Sequence, residues 1–473
     1  VQRCNSALRV LNAATDEQVN GRVSRIAEMK VLRAHYYFEL SRLFNKIPYF
    51  DENVEISQYP DIPNNEFTRD EILSMLAKEM LDAAELLPAS QSEVGRIHKY
   101  IALAYAAKIK LYQAYQQDET THAVTSINKE LLREVVSLCD QVTASNRYGL
   151  LDDFQGLDLV ANENGKESVF AIQYSMNDGT ESAGRINWSN LLNSPGGGSP
   201  YGGDGFFLPS QDLINAYQTD ANGLPDFNYQ SKSDYSWAVL NNGVYTLQNT
   251  TPNVDPRLDF VVGRPTITWK TYPDKPCEGW VRDKETYGYN CAKRFWVSPE
   301  SSDMFNGWPW GASQLNWQII RYADILLWKA EALIELNEGD GLETARDLIN
   351  QIRNRARNSA YVKDFNDHSK YAANYLVNPY PADVWNQDYA RQALRWETRL
   401  EKALEGERFF DLVRWGIVET TMNKYITAES DNRIYYANAH FTGGKDEYYP
   451  VPNNQYGFSG GKYVQNPGYA PFN

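Results

Sequence analysis

Cysteine, histidine and long apolar runs are all scarce in this chain of 473 residues. The four cysteines, Cys4, Cys139, Cys277 and Cys291, contain no CxxC pair, which removes the thioredoxin-like and zinc-ribbon readings. The five histidines, His35, His98, His122, His368 and His440, are scattered and form no HExxH, so the sequence predicts no metal centre and no cofactor. No GxxxxGK[ST] cradle for phosphate exists. No stretch reaches the roughly 18 uncharged apolar residues that a membrane-crossing helix needs. Positive charge is in deficit: 46 Lys and Arg against 61 Asp and Glu leave a net charge of −15. A global basic footprint for nucleic acid is therefore excluded, and no nucleic-acid partner is expected.

What is present is globular. Hydrophobic residues make up 42% and charged residues 23%, enough apolar surface to pay for ordering the chain. The length is worth about three average domains. Polar aromatics stand out, with 32 Tyr and 12 Trp against 18 Phe. Such rings carry an apolar face and a hydrogen-bonding tip, so they suit wet contact surfaces as well as cores.

Both ends of the chain read as helical. Met29, Leu32, Tyr36, Leu40 and Leu43 recur at spacings of 3 and 4, which predicts one amphipathic stripe ended by Pro48. Thr68 and Glu71 form a capping box for a second helix through Ile72, Leu76, Met80 and Ala83. A third carries Ile97, Ile101, Ala104, Tyr105, Lys108, Leu111 and Tyr112, and a fourth covers about residues 129–145, with Cys139 as a small buried hydrophobe. Towards the other end, Tyr322–Leu336 and Leu342–Ala356 flank a Gly-rich break, and Asp388–Glu405 and Glu407–Val418 flank Gly406. Ala102, Ala106, Ala330, Ala332 and Ala345 on the packing faces predict stacked helical hairpins without a strict period. The chain divides into a helical part (1–175), a loop-rich part (176–314) and a second helical part (315–473), which together form one compact unit.

The middle part holds Pro195-Gly196-Gly197-Gly198, Gly202-Gly203 and short strand-like runs such as Phe260-Val261-Val262 and Thr266-Ile267-Thr268-Trp269. Eight of the twelve tryptophans lie between Trp188 and Trp317. A loop-rich stretch this long is more than a connector, and loops on a rigid frame commonly carry function. Cys277 and Cys291 flank one of its loops. In an oxidising compartment a bridge would close about 15 residues and contribute about 3 kcal/mol, although spacing does not fix the pairing.

Signs of catalysis are weak. Gly457-Phe458-Ser459-Gly460-Gly461 fits the pattern of a nucleophile elbow, but no histidine follows His440, so a turn is the expectation. The charge cluster Glu397, Glu401, Glu405, Arg408, Asp411 and Arg414 reads as ion pairs at spacings of 3 and 4. Arg408 would reach Glu405 and Asp411, and Asp411 would reach Arg414. Carboxylates are numerous enough to keep a glycosidase pair as an alternative. The chain opens on Val1-Gln2-Arg3-Cys4, and Leu8, Leu11 and Ala14 already look like a helix face, as if a longer protein were entered partway. Cys4 lacks the small-residue lead-in of a lipidation site.

Five ordered blocks then resemble one family. They are Leu32-Arg33-Ala34 with Tyr36-Tyr37-Phe38 and Asn45-Lys46-Ile47-Pro48; Asp255-Pro256-Arg257-Leu258; Ile320 to Leu327 with Ala330-Glu331-Ala332 and Ile349 to Ala356; Glu401 to Gly416; and Tyr448-Tyr449-Pro450-Val451-Pro452 with Gln465-Asn466-Pro467-Gly468-Tyr469. The pattern is similar to the SusD/RagB family, surface lipoproteins of Bacteroidetes nutrient-uptake systems. The resemblance implies a mainly α fold: a tetratricopeptide-like α-superhelix of about four helix pairs with an inserted loop-rich region. It also implies a non-catalytic binder of glycan, or of peptide in the RagB branch. Such a binder works as a lid over a SusC-like TonB-dependent transporter. The location implied is the extracellular face of the outer membrane, held by an N-terminal lipid anchor absent from this chain.

For a glycan the site must supply flat rings and rim hydrogen bonds. One stacked ring burying about 100 Å² yields about 2.5 kcal/mol, while association costs roughly 4–15 kcal/mol, so two or three rings must converge. The favoured platform is Trp308-Pro309-Trp310, stiffened by proline and flanked by turn residues. Further candidates are Trp188, Tyr201, Trp237, Trp269, Tyr272, Trp280, Tyr287, Tyr289 and Trp296, with Lys293, Arg294, Asp303 and Asn306 as polar partners. Trp317 and Trp328, at or in the hallmark helix, are expected in the core.

Overall fold

A computed structural model describes residues 1–472 except 181–183, 194, 197, 236–237, 242–243, 248–251, 273–278 and 289. Trp237, Tyr289 and Cys277 are among the exceptions, so the platform roles of the first two and the Cys277–Cys291 pairing lie outside the described residues.

Eight long helices make the frame: α1 (Gln2–Ala13), α2 (Arg22–Phe44), α3 (Arg69–Leu86), α4 (Lys99–Ala114), α5 (Lys129–Ala144), α6 (Tyr322–Leu336), α7 (Gly341–Asn358) and α8 (Gln387–Glu401). Each packs on the next along the chain, which gives four successive pairs and a tetratricopeptide-like superhelix. The predicted capping box is formed: the Thr68 N–H donates to Glu71 Oε2 (2.8 Å) and the Glu71 N–H to Thr68 Oγ1 (3.3 Å). On α3, Ile72, Leu76, Met80 and Ala83 are all buried, as the spacing predicts. Helix α4 is buried almost all round, because α3 and α5 cover its two sides. Cys139 on α5 is fully buried, and burial pushes its thiol up to about 12.

Helix α2 departs from expectation. The stripe Met29, Leu32, Tyr36, Leu40 and Leu43 is not its packing face; Tyr36 and Leu40 are exposed. The inward face is Ala27, Val31, Ala34, Tyr37, Phe38 and Ser41. Small residues there bring α2 close to α3, and close packing outweighs the larger side chains on the neighbouring stripe.

The long excursion of the chain starts after α5 and returns at α6, so it is inserted between the two helices of one pair. Strands Ser168–Ile172 and Trp317–Arg321 pair antiparallel at its base, and the Tyr322 N–H bonds to the Glu167 carbonyl (2.9 Å). Phe260-Val261 falls in a helical turn, Arg257–Val261, rather than a strand. After α8, the expected helix over Glu407–Val418 is split into α9 (Arg408–Arg414) and α10 (Val418–Ser430), with Gly416 at φ +67° between them. Gly457 and Phe458 end a short helix, Asn453–Phe458, and Ser459–Gly461 form the turn after it. There the Ser459 hydroxyl donates to the Tyr456 carbonyl (2.9 Å) and accepts the Tyr463 N–H (3.1 Å).

The insertion is clamped to the frame by buried charge. Arg321 contacts Glu167 (3.0 Å), Glu401 (2.7 Å) and Glu405 (3.0 Å). Arg355 meets Glu167 and Glu401, and Arg353 meets Glu397. Arg257, from the insertion, pairs with Asp255 (2.7 Å), Glu397 (2.6 Å) and Glu401 (3.1 Å). The network continues through Lys402 to Asp324 and Glu405, and through Arg294 and Lys270 to Asp158. Seven cations thus meet seven carboxylates, so the buried cluster is neutral and each charge is compensated. Burial alone would raise the Glu401 carboxyl, but Arg355, Arg321 and Arg257 outweigh it and hold it at about 2. The expected local pairs are only partly formed. Asp411 does pair with Arg414 (2.9 Å), but Arg408 donates to the Arg395 carbonyl (3.3 Å) instead, because Glu405 is taken by Arg294, Arg321 and Lys402.

Candidate functional site

The aromatic residues of the insertion sort into two sets. Tyr201, Trp269, Trp280 and Trp296 are 0–4% exposed and form a compact cluster, with Leu208, Tyr272 and Met304 packed against it. Tyr201 sits at its centre, its ring centroid 6.0 Å from Trp269, 6.1 Å from Trp280 and 6.0 Å from Trp296. The polar tips are satisfied internally. Trp269 Nε1–H donates to Tyr201 Oη (2.9 Å), which donates to the Val297 carbonyl, and Trp296 Nε1–H donates to the Ala292 carbonyl (3.0 Å). These four expected platform residues are therefore a second core. A long polar insertion has few aliphatic residues, and its large rings are the apolar surface available to hold it together. Arg294 is likewise corrected: it is buried against Asp158 and Glu405. Lys293, also buried, donates to the carbonyls of Asp259 (2.7 Å) and Thr268 (3.0 Å). Trp328 is in the frame core, and Trp317 is half-buried with its ring 4.6 Å from Phe295.

The second set faces out. Residues 304–313 form a hairpin, closed by the Met304–Ser313 bridge and by the Phe305 N–H to the Ala312 carbonyl (2.9 Å). The tip is Asn306-Gly307-Trp308-Pro309-Trp310-Gly311, where Trp308 is 60% and Trp310 49% exposed. The base of the hairpin, Met304, packs on the aromatic cluster, so the buried rings hold up the exposed ones.

Two neighbouring segments are tied to this tip. Asn190 Nδ2 donates to the carbonyls of Phe295 (3.2 Å) and Gly311 (3.3 Å), and the Asn187 N–H bonds to the Ser313 carbonyl (2.9 Å). Gly202, at φ +65°, lies directly under Trp310: a Cβ there would stand 3.2 Å from the Trp310 Cβ and Cγ. The Phe206 N–H bonds to the Leu192 carbonyl (3.0 Å). On these tied segments Trp188 (48%), Leu192 (54%) and Phe206 (74%) are also exposed. Asn306 is exposed at the tip, and half-buried Asp303 accepts the Gln314 side-chain amide (2.7 Å) at the hairpin base. Tyr287 is exposed elsewhere, its ring 5.9 Å from Tyr435.

Leu192 and Phe206 are the site residues that sequence reasoning missed. Their signal was weak: each stands in a short apolar run, Leu191-Leu192 and Phe206-Phe207-Leu208, bounded by Gly, Asn, Asp and Pro, and the run does not say which member faces out.

A tetratricopeptide-like frame carrying one large insertion, with exposed rings on its loops, defines the class of fold. The chain belongs to the SusD family, whose model matches residues 166–469. Among curated relatives, a SusD-like protein of Bacteroides ovatus is 22% identical over 436 residues, 88% of this chain and 63% of that protein. The chain thus spans just under two thirds of that relative's length. Among solved structures, a SusD superfamily protein from Bacteroides vulgatus superposes with a TM-score of 0.69 at 21% identity over 99% of this chain and 83% of that one. Surface glycan-binding protein A from Bacteroides fluxus superposes with a TM-score of 0.64 at 20% identity, again over 99% and 83%. Three of the five blocks that carry the family resemblance supply residues of the buried charge network: Asp255, Arg257, Arg321, Arg353, Arg355, Glu401 and Glu405.

Proposed function

We propose that this chain is a cell-surface glycan-binding protein that captures oligo- or polysaccharide on the shelf formed by Trp308, Trp310 and Trp188. It does not cleave its cargo but passes it to a SusC-like TonB-dependent outer-membrane transporter. It acts on the extracellular face of the outer membrane, held there by a lipid anchor. The observation that carries the reading is the pair of exposed indoles on a braced hairpin. A sugar presents an apolar C–H face to each ring, and Asn306 beside them supplies rim hydrogen bonds. Membership of the SusD family and the fold likeness to a surface glycan-binding protein support it.

The test is isothermal titration against a glycan panel. Trp308→Ala and Trp310→Ala are each expected to weaken the best ligand roughly 10- to 100-fold, the equivalent of one stacked ring. Unchanged affinity in both variants rejects the shelf. New reducing ends after incubation with that ligand would instead favour a carboxylate-based glycosidase.

Leu192 and Phe206 favour a second reading. Exposed aliphatic and phenyl groups beside the indoles also suit apolar side chains, so a peptide cargo is the alternative, and a peptide pool in the same titration separates the two.

A further inference from the structure

A separate cleft of about 460 Å³ opens within the insertion, lined by residues from its early part (155–160) and its late part (260–303). Its volume lies in the range of small-ligand pockets. Part of its lining is apolar: Leu159, Val160, Phe260 and Val297. The rest is polar and pre-arranged. Thr271 Oγ1 and Ser298 Oγ each donate to the Glu300 carboxylate (2.6 and 2.7 Å), Ser301 Oγ donates to Asp303 (3.2 Å), and Lys270 pairs with Asp158 (3.1 Å). The backbone around it is contorted: Thr266, Lys270 and Phe295 stand at φ +69°, +49° and +71°. Left-handed β-branched and bulky residues cost energy, and such strain gathers at ligand-binding sites.

We infer that this cleft is a second binding pocket, taking a single neutral sugar ring, such as the end unit of a glycan chain. The wall chemistry selects that class. Lys270 is paired with Asp158 and Lys293 with backbone carbonyls, so an anion is not called for, and Glu300 and Asp303 are already met by hydroxyl and amide donors, so neither is a metal ion. Carboxylates and side-chain hydroxyls accept from sugar hydroxyls, Lys270 donates to them, and Val160 with Val297 and Leu159 covers the ring's C–H face. Ser301 and Asp303 on the wall lead directly into the hairpin that carries Trp308, which places the pocket beside the shelf. The inference rests on the glycan reading and adds an end-binding subsite to it.

Ligand-observed NMR titration with glucose, galactose, mannose, xylose and N-acetylglucosamine at millimolar concentration tests it. At least one is expected to bind saturably. That binding should survive Trp308→Ala, fall roughly tenfold in Glu300→Gln, and vanish in Val160→Trp, which fills the cleft while leaving every polar contact in place. Circular dichroism of each variant confirms folding. Absence of saturable binding by all five sugars overturns the pocket, as does binding lost in Trp308→Ala but kept in Val160→Trp. If polysaccharide still binds the shelf in that case, only the pocket falls and the shelf stands.

Discussion

At the scale of single residues, the side chains that look most reactive are structural. Glu401 touches Arg257, Arg321 and Arg355 at once. Glu401→Gln removes the charge but keeps the shape, and three guanidiniums lose a shared counterion. Breaking a buried pair in this way costs about 3–5 kcal/mol, so chemical denaturation should show a loss of that order with little change in m. Gly202→Ala acts differently. It demands a left-handed alanine and pushes on Trp310, so it should cost about 1 kcal/mol and weaken glycan binding as well. Comparable melting temperatures with unchanged affinity would show that Trp310 does not need its glycine seat.

Among the elements, the hairpin over residues 304–313 closes on its own backbone bonds and is tied to the neighbouring Phe295 segment by one side chain, Asn190. Asn190→Ala leaves the Phe295 and Gly311 carbonyls without their donor. Each buried acceptor so stranded costs about 1–3 kcal/mol. Hydrogen exchange should speed up in the hairpin while helices α3, α4 and α6 keep their protection. Elements were also where the sequence was easiest to interpret. Capping chemistry and 3.6-residue spacing located α3, α4 and α6, because local hydrogen bonds and a single buried face decide them. The face of α2 was misjudged, since close approach to α3 favours Ala27 and Ala34 over the bulkier Tyr36 and Leu40, and only the neighbour reveals that. In the insertion, composition announced many rings. Whether Trp296 or Trp308 turns outward depends on contacts more than ninety residues away, such as Tyr201, which no local pattern encodes.

For the whole molecule, acid should loosen frame and insertion together. Burial keeps His35, His98 and His122 neutral down to about 4, whereas an unfolded histidine takes a proton near 6.5. The unfolded chain therefore binds more protons, and stability declines as pH drops from about 6.5 to 4. Glu401, held at about 2, supplies stability that is complete above about 4.5 and is lost as pH falls towards 2. Melting temperature plotted against pH should fall in two overlapping stages, and a flat profile from pH 7 to 3 would contradict both.

The strand pair at the neck of the insertion has a further consequence. The chain leaves the solenoid and re-enters it through neighbouring, hydrogen-bonded strands, Ser168–Ile172 and Trp317–Arg321. With the two ends already held together, changing the number of residues between them alters closure entropy only logarithmically. The helical stack behaves as a socket and the intervening segment as an exchangeable cartridge, free to change in length and surface while the socket stays the same.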